Sequence, residues 1–279
     1  MIGSIAAEVF VLRKRASTWI LLGIWITMGA VFAYAFPYVT YRNNGGGPGG
    51  EQFADVLPQS LVSNLLVGFP FFGGAIVLML GVLSFGSEYG WGTLKTLFTQ
   101  RPGRLRIFGA KLAALGLVLA PFVGVIFVVG AIFSYTIAQV EGAAVDWPSA
   151  WLVIQALAAG WFILAVWAML GVMLAILSRG TALAIGVGIL YSLAIEGLLS
   201  ALTGQISLLE PLVELFLRSS AYSLVVELGV SGEAMADRGP GSFSGPFVDG
   251  GQALLVLGAY IIIFTLVSGF TLRQRDVAG

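Results

Sequence analysis

Six long apolar runs constrain this chain more than any other feature of its sequence. They lie at about Thr18–Phe36, Leu61–Phe85, Leu112–Ile137, Trp151–Leu177, Thr181–Leu202 and Ala253–Leu272. A helix needs roughly 20 apolar residues to cross the hydrocarbon of a bilayer, and longer runs must tilt, kink or extend beyond it. Within hydrocarbon no water satisfies backbone N–H and C=O groups, so such runs are expected to be helical. The expectation is an all-α polytopic membrane protein: one transmembrane domain over residues 1–279, with six membrane helices.

Composition agrees. Of the 279 residues, 58% are hydrophobic and 10% charged, with a mean hydropathy of +0.96, whereas roughly a quarter of a soluble domain is charged. Cysteine and histidine are both absent. This excludes disulfides, thiolate and imidazole metal sites, and histidine-based triads. Arg13, Lys14 and Arg15 ahead of the first run imitate a signal peptide. That run is long, however, and no small-residue cleavage site follows Pro37, so it reads as a retained span.

Formal net charge is zero, but the charges are sorted. With the amino terminus inside, eleven basic residues fall in cytoplasmic pieces and three, Arg42, Arg218 and Arg238, in outer loops. Ten acidic residues fall outside. Such sorting follows the positive-inside rule and places both termini in the cytoplasm. Trp19, Tyr38, Trp91, Tyr135, Trp147 and Trp151 sit near the proposed interfaces, where amphipathic rings are enriched. Between the fourth and fifth runs only Ser178, Arg179 and Gly180 intervene, which requires a tight hairpin.

The remaining pieces are short. In residues 1–17, Ile2, Ile5, Ala6, Val9 and Phe10 recur at helical spacing before Arg13–Arg15, the pattern of a helix lying in the headgroup region. Asn43 to Gly50 is glycine-rich and lacks the lysine of a phosphate-binding loop. In the longest outer loop, 203–252, Leu208–Val230 reads as two short amphipathic helices broken near Ser219-Ser220, lying on the outer surface or dipping in as a re-entrant element. Gly239-Pro240-Gly241 and Gly245-Pro246 make the rest irregular.

Between the second and third spans, Gly86, Gly90 and Gly92 are expected to let the chain leave the membrane at a sharp angle. Thr93 then caps a short helix with Leu94, Leu97 and Phe98 on one face, ended by Pro102-Gly103. Arg104, Arg106 and Lys111 return the chain to the headgroups. A two-turn helix is too short to stand alone in water and must dock on something.

Here the sequence resembles the type-2 ABC transporter permease family. The match lies in Ser87-Glu88-Tyr89, Gly92-Thr93-Leu94-Lys95, Leu97-Phe98-Thr99 and the basic stretch ending at Ala110-Lys111. A second match is Glu8 followed by Leu12-Arg13-Lys14-Arg15 and Ser17-Thr18-Trp19; a third is Glu196 with Pro211 after it. With the six-span layout, the resemblance covers nearly the whole chain.

It implies a permease subunit in the cell membrane with no catalytic, cofactor or metal site of its own. ATP and Mg would sit on a separate ATPase subunit, two copies of which pair with two permease chains, a homodimer or a related pair. No nucleic acid is involved. The segment holding Glu88, Tyr89, Gly92, Thr93, Leu94, Lys95, Leu97 and Phe98 would be the coupling helix, with Glu88 as its polar anchor, bonded by backbone N–H groups or a cationic side chain. The amino-terminal helix would be an elbow, with Arg13, Lys14, Arg15, Arg104, Arg106 and Lys111 as interfacial basic residues. Alternating access would export a hydrophobic or amphipathic substrate.

Glu196 stands inside the fifth span, where a carboxylate at the centre costs at least ~2.5 kcal/mol unless it faces protein or water. A substrate contact, a proton or cation site, and a structural link to the outer loop all suit it; the link is preferred. Alternative functions are a non-transporting membrane anchor and a secondary transporter. The latter usually needs several intramembrane polar groups.

Overall fold

The computed structural model describes residues 2–43, 51–90, 92, 103–203, 206–230, 243 and 246–274. Among them every regular element is helical and there is no strand. Six helices are long and apolar enough to cross a membrane: span 1 (Ala16–Asn43), span 2 (Phe69–Gly90), span 3 (Arg104–Glu141), span 4 (Ala150–Ser178), span 5 (Ala182–Ser200) and span 6 (Gly250–Gln274). The protein is a multi-pass membrane protein. Alternation of the six spans brings the start of span 1 and the end of span 6 to one end of the bundle, called here the terminal end, where Gly269 lies beside Leu105 and Phe108.

Two boundaries differ from the sequence reading for identifiable reasons. Leu61–Phe85 is not one span. Leu61–Leu66 is a separate short helix, and span 2 begins beyond it at Phe69. Pro70 lacks an N–H and follows Gly68, and the chain passes it as a π-helical turn, Phe69–Gly73. Span 3 starts at Arg104 rather than Leu112 and runs for 38 residues. At 1.5 Å per residue that is about 57 Å, well beyond a hydrocarbon core of about 30 Å.

Spans 2 and 4 form the centre, with 72% and 67% of their most apolar windows buried, against 22–24% for spans 1, 5 and 6. In lipid, apolar area gives no drive for helices to associate, so close packing by small residues must do it. A Cβ on Gly81 would lie 2.2 Å from the Ala168 carbonyl oxygen, and one on Gly171 equally close to that of Leu78. The two backbones therefore touch. Trp167 fills the space beside Gly74 and is fully buried.

The turn between spans 4 and 5 is as tight as expected. Arg179 closes span 4 in the left-handed conformation (φ 55°, ψ 31°), and the Ser178 hydroxyl bonds the Gly180 carbonyl at 3.1 Å. Gly86 of span 2 lies against Gly180 and Thr181, which brings this hairpin to the terminal end beside it.

Candidate functional site

The amino-terminal helix, Ile2–Lys14, forms as the periodicity predicts. It ends because Arg15 is extended (φ −72°, ψ 125°), and its last carbonyls are satisfied from span 1. The Thr18 hydroxyl donates to Leu12 O and the Trp19 indole to Arg13 O, each at 2.8 Å. One side packs along span 3, with Leu12 buried and Ile5 and Val9 half-buried. Ile2, Phe10, Val11, Arg13 and Lys14 remain exposed.

This docking gathers four charged side chains from three elements. The Lys111 ammonium donates to Glu8 Oε2 at 2.8 Å and to Glu88 Oε1. Arg15 approaches the same Glu88 oxygen at 3.8 Å, and its guanidinium also donates to Leu83 O (2.8 Å) and Ser87 Oγ (3.0 Å). Lys111 and Glu88 are 4% and 6% exposed. Phe85 roofs the ammonium at 5.6 Å and itself packs on Phe108. A buried ion is tolerated only with such partners, because stripping its hydration costs several kcal/mol.

Several expectations change here. Glu88 does take a cationic partner, but it lies within the last turns of span 2 rather than in a loop. Gly86 and Gly90 are helical; only Gly92, with φ 67°, makes the left-handed turn. Lys111 and Arg15 are not headgroup-facing. Lys111 stands two turns inside span 3 facing Glu8 and Glu88, and Arg15 is half-buried along span 2. Arg106 is exposed and Arg104 half-buried at the start of span 3, while Tyr89 packs partly on the core. Thr93, Leu94, Lys95, Leu97 and Phe98 lie outside the described residues, as does Trp91. Glu8 carried no role in the sequence reading beyond the resemblance. Its signal was its place one turn before buried Leu12 on the packed face.

A second polar centre lies at the opposite end. Both carboxylate oxygens of Glu196 accept from the backbone N–H of Arg218, at 3.1 and 3.3 Å. Arg218 is the second residue of the helix Leu217–Glu227, whose N-cap Phe216 offers no side-chain acceptor. Span 5 therefore supplies the missing cap, a negative charge at a helix N-terminus. The Arg218 guanidinium lies 4.9–5.5 Å from the rings of Phe71, Tyr222 and Phe243. Burial pushes the Tyr222 hydroxyl up to about 12, against a smaller opposing pull from Arg218.

The reading of Leu208–Val230 is corrected in one point and narrowed in another. The helices break at Leu215-Phe216, not at Ser219-Ser220. The second does not lie on the surface, since Leu217 through Val225 are all buried. Its hydroxyls have internal partners: Ser219 donates to Pro246 O at 2.9 Å and Ser223 accepts from Val248 N–H at 3.0 Å. These bonds give a polar helix the satisfaction that burial demands. Among the described residues no group of acidic side chains forms a metal site.

A family profile described as a protein of unknown function (DUF2705) matches residues 18–278. The chain belongs to the DUF2705 family. The match takes in nearly all of the six spans of this DUF2705 chain, with Glu88, Lys111 and the Glu196–Arg218 centre, and leaves out the amino-terminal helix with its Glu8 and the junction residue Arg15. No curated protein matches it.

Proposed function

We propose that this DUF2705 chain is the permease subunit of an ATP-driven ABC transporter, exporting a hydrophobic or amphipathic substrate by alternating access. The observation that carries the reading is the buried Glu8–Lys111–Glu88–Arg15 cluster. It ties the amino-terminal helix to span 2 just before residues 91–102 and to span 3 just after them. A push on that segment is thereby delivered to two spans and the elbow together. The motif resemblance around Glu88 and Gly92–Lys95 supports an ATPase as the source of the push.

In this reading the terminal end faces the cytoplasm, and ATP and Mg bind a partner ATPase present in two copies beside two permease chains. Nucleotide closes the ATPase dimer, and differential contact with the two conformations shifts the permease between them. The chain itself performs no catalysis.

The test is co-purification of the full chain from its native membrane, followed by reconstitution. The expected result is a bound ATPase that is lost on deleting Thr93–Gln100, with nucleotide-dependent transport abolished by Glu88→Ala. Absence of any bound ATPase, with activity unchanged in Glu88→Ala, overturns the reading. A bound ATPase without movement of any hydrophobic probe would favour a non-transporting anchor.

A further inference from the structure

Most glycines in the packed spans are explained by what touches them, as at Gly81 and Gly171. Gly29 in span 1 and Gly68 at the entry to span 2 are among those that are not, as are Gly23 and Gly124; Gly29 and Gly68 share one groove. A Cβ at either would meet nothing within 4 Å. Both face a groove of about 70 Å³ whose walls include Trp25, Phe32, Phe72 and Ile126. Phe32 and Phe72 stack at its edge with centroids 5.4 Å apart, and Phe32 is 39% exposed. The groove therefore opens on the outward side of span 1.

Its walls ask for no polar ligand. Asn64 lines it, but its amide donates to the Ala33 carbonyl at 2.9 Å. Ala33 lies in a π-helical segment, Ala30–Ala35, and the groove's other wall borders the π segment Phe69–Gly73.

Depth decides the occupant. Gly29 is the midpoint of span 1, about 21 Å along a helix of 28 residues. At that level the surrounding medium is hydrocarbon, and an apolar gap does not take up water. The volume is about half that of an engineered cavity that holds benzene, and far below the roughly 300 Å³ of a drug-sized site. It suits a few methylenes and not a headgroup.

We infer that this groove is a binding site for the acyl chain of a membrane phospholipid, wedged between span 1 and the Leu61–Gly73 segment. The site is independent of the permease reading. The occupant holds span 1 off its neighbour at the level where both carry a π segment.

The test uses the full chain in nanodiscs of phosphatidylglycerol with a diazirine at mid-chain. Photolysis and peptide mapping should concentrate label on residues 25–33 and 64–72, above the exposed face of span 6. Gly29→Leu or Gly68→Leu sends a side chain out from a Cβ position that meets nothing within 4 Å and should lower that label several-fold. Gly23→Leu, equally open but away from the groove on the same helix, should leave it unchanged. Even labelling over all exposed spans in the unaltered protein, or label indifferent to both groove variants, overturns the site.

Discussion

Replacing Lys111 by methionine removes the cation that two carboxylates share while keeping most of its volume under Phe85. Stranding a charge inside a broken buried pair costs about 3–5 kcal/mol. Glu88 retains Arg15 at 3.8 Å, a separation at which opposite charges attract by about 4 kcal/mol at an effective dielectric of 20. Glu8 is less buried, with 16% of its side chain exposed, and hydrates more easily. The loss for Lys111→Met should therefore fall near the lower bound, about 3 kcal/mol. Glu88→Gln leaves Lys111 bonded to Glu8 and should cost only about 1–2 kcal/mol. Lys111→Met combined with Glu88→Leu removes both buried charges and should be milder than Lys111→Met alone, with a coupling of about 1 kcal/mol or more. Reversible unfolding in mixed micelles titrated with dodecyl sulfate measures all three. A Lys111→Met variant within about 0.5 kcal/mol of the unaltered protein, or a strictly additive double variant, refutes the cluster as a buried unit.

Further outcomes follow from other contacts. Gly171→Ala places a methyl into the Leu78 carbonyl and should destabilise by about 3 kcal/mol or more, whereas Gly124→Ala, with open space around it, should stay within about 0.5 kcal/mol; the same titration compares them. Glu196→Leu removes the cap of the helix Leu217–Glu227, and amide exchange over residues 217–225 should speed up well before the spans do. The Tyr222 hydroxyl is raised to about 12 in the folded state and sits near 10 when unfolded. Its contribution is whole below pH 10 and is lost as pH rises towards 12, so Tyr222→Phe should flatten the alkaline loss of stability in that window. Because the chain has no cysteine, single cysteines at Gly3 and Asp146 should label from opposite sides of intact cells, Asp146→Cys from outside; labelling of both from one side refutes the six-span alternation.

The membrane architecture was legible because length and hydropathy act locally. Twenty apolar residues demand a helix whatever surrounds them. Boundaries were less so. The break before Phe69 depends on one proline, and span 3 extends to Arg104 because polar residues continue a helix as readily as they end one. At the candidate site, Glu88 was read as bonded by backbone N–H groups or a cationic side chain, and the structure shows the second, while Lys111 and Arg15 were assigned to the headgroups as the basic ends of short segments. What recruited them inward was the packing of the amino-terminal helix on span 3, which no local window contains. One signal was present: Gly74, Gly81 and Glu88 recur every seven residues, and the first two meet span 4. For Glu196 a structural link was preferred over a substrate contact or an ion site, and its carboxylate accepts from a backbone N–H of the segment between spans 5 and 6. Whether the helix it caps lies on the surface or dips in was left open in the sequence, because the partners that satisfy Ser219 and Ser223 come from Pro246 and Val248, more than twenty residues away.

Span 3 is fastened at both extremities. Near its start Lys111 grips Glu8 and Glu88, and at its last residue Glu141 accepts from Tyr38 and Arg42 of span 1. A strut of about 57 Å held this way cannot slide past span 1 without releasing Glu141, nor past the amino-terminal helix and span 2 without releasing Lys111. Between the clamps span 1 carries the π turn Ala30–Ala35, a stretch already wound to a different pitch. That turn is itself tied to span 3, through the buried Tyr34 ring stacked on Phe133, so the two helices are cross-tied midway as well as at the Glu141 end, as a ladder with a middle rung resists shear along its rails.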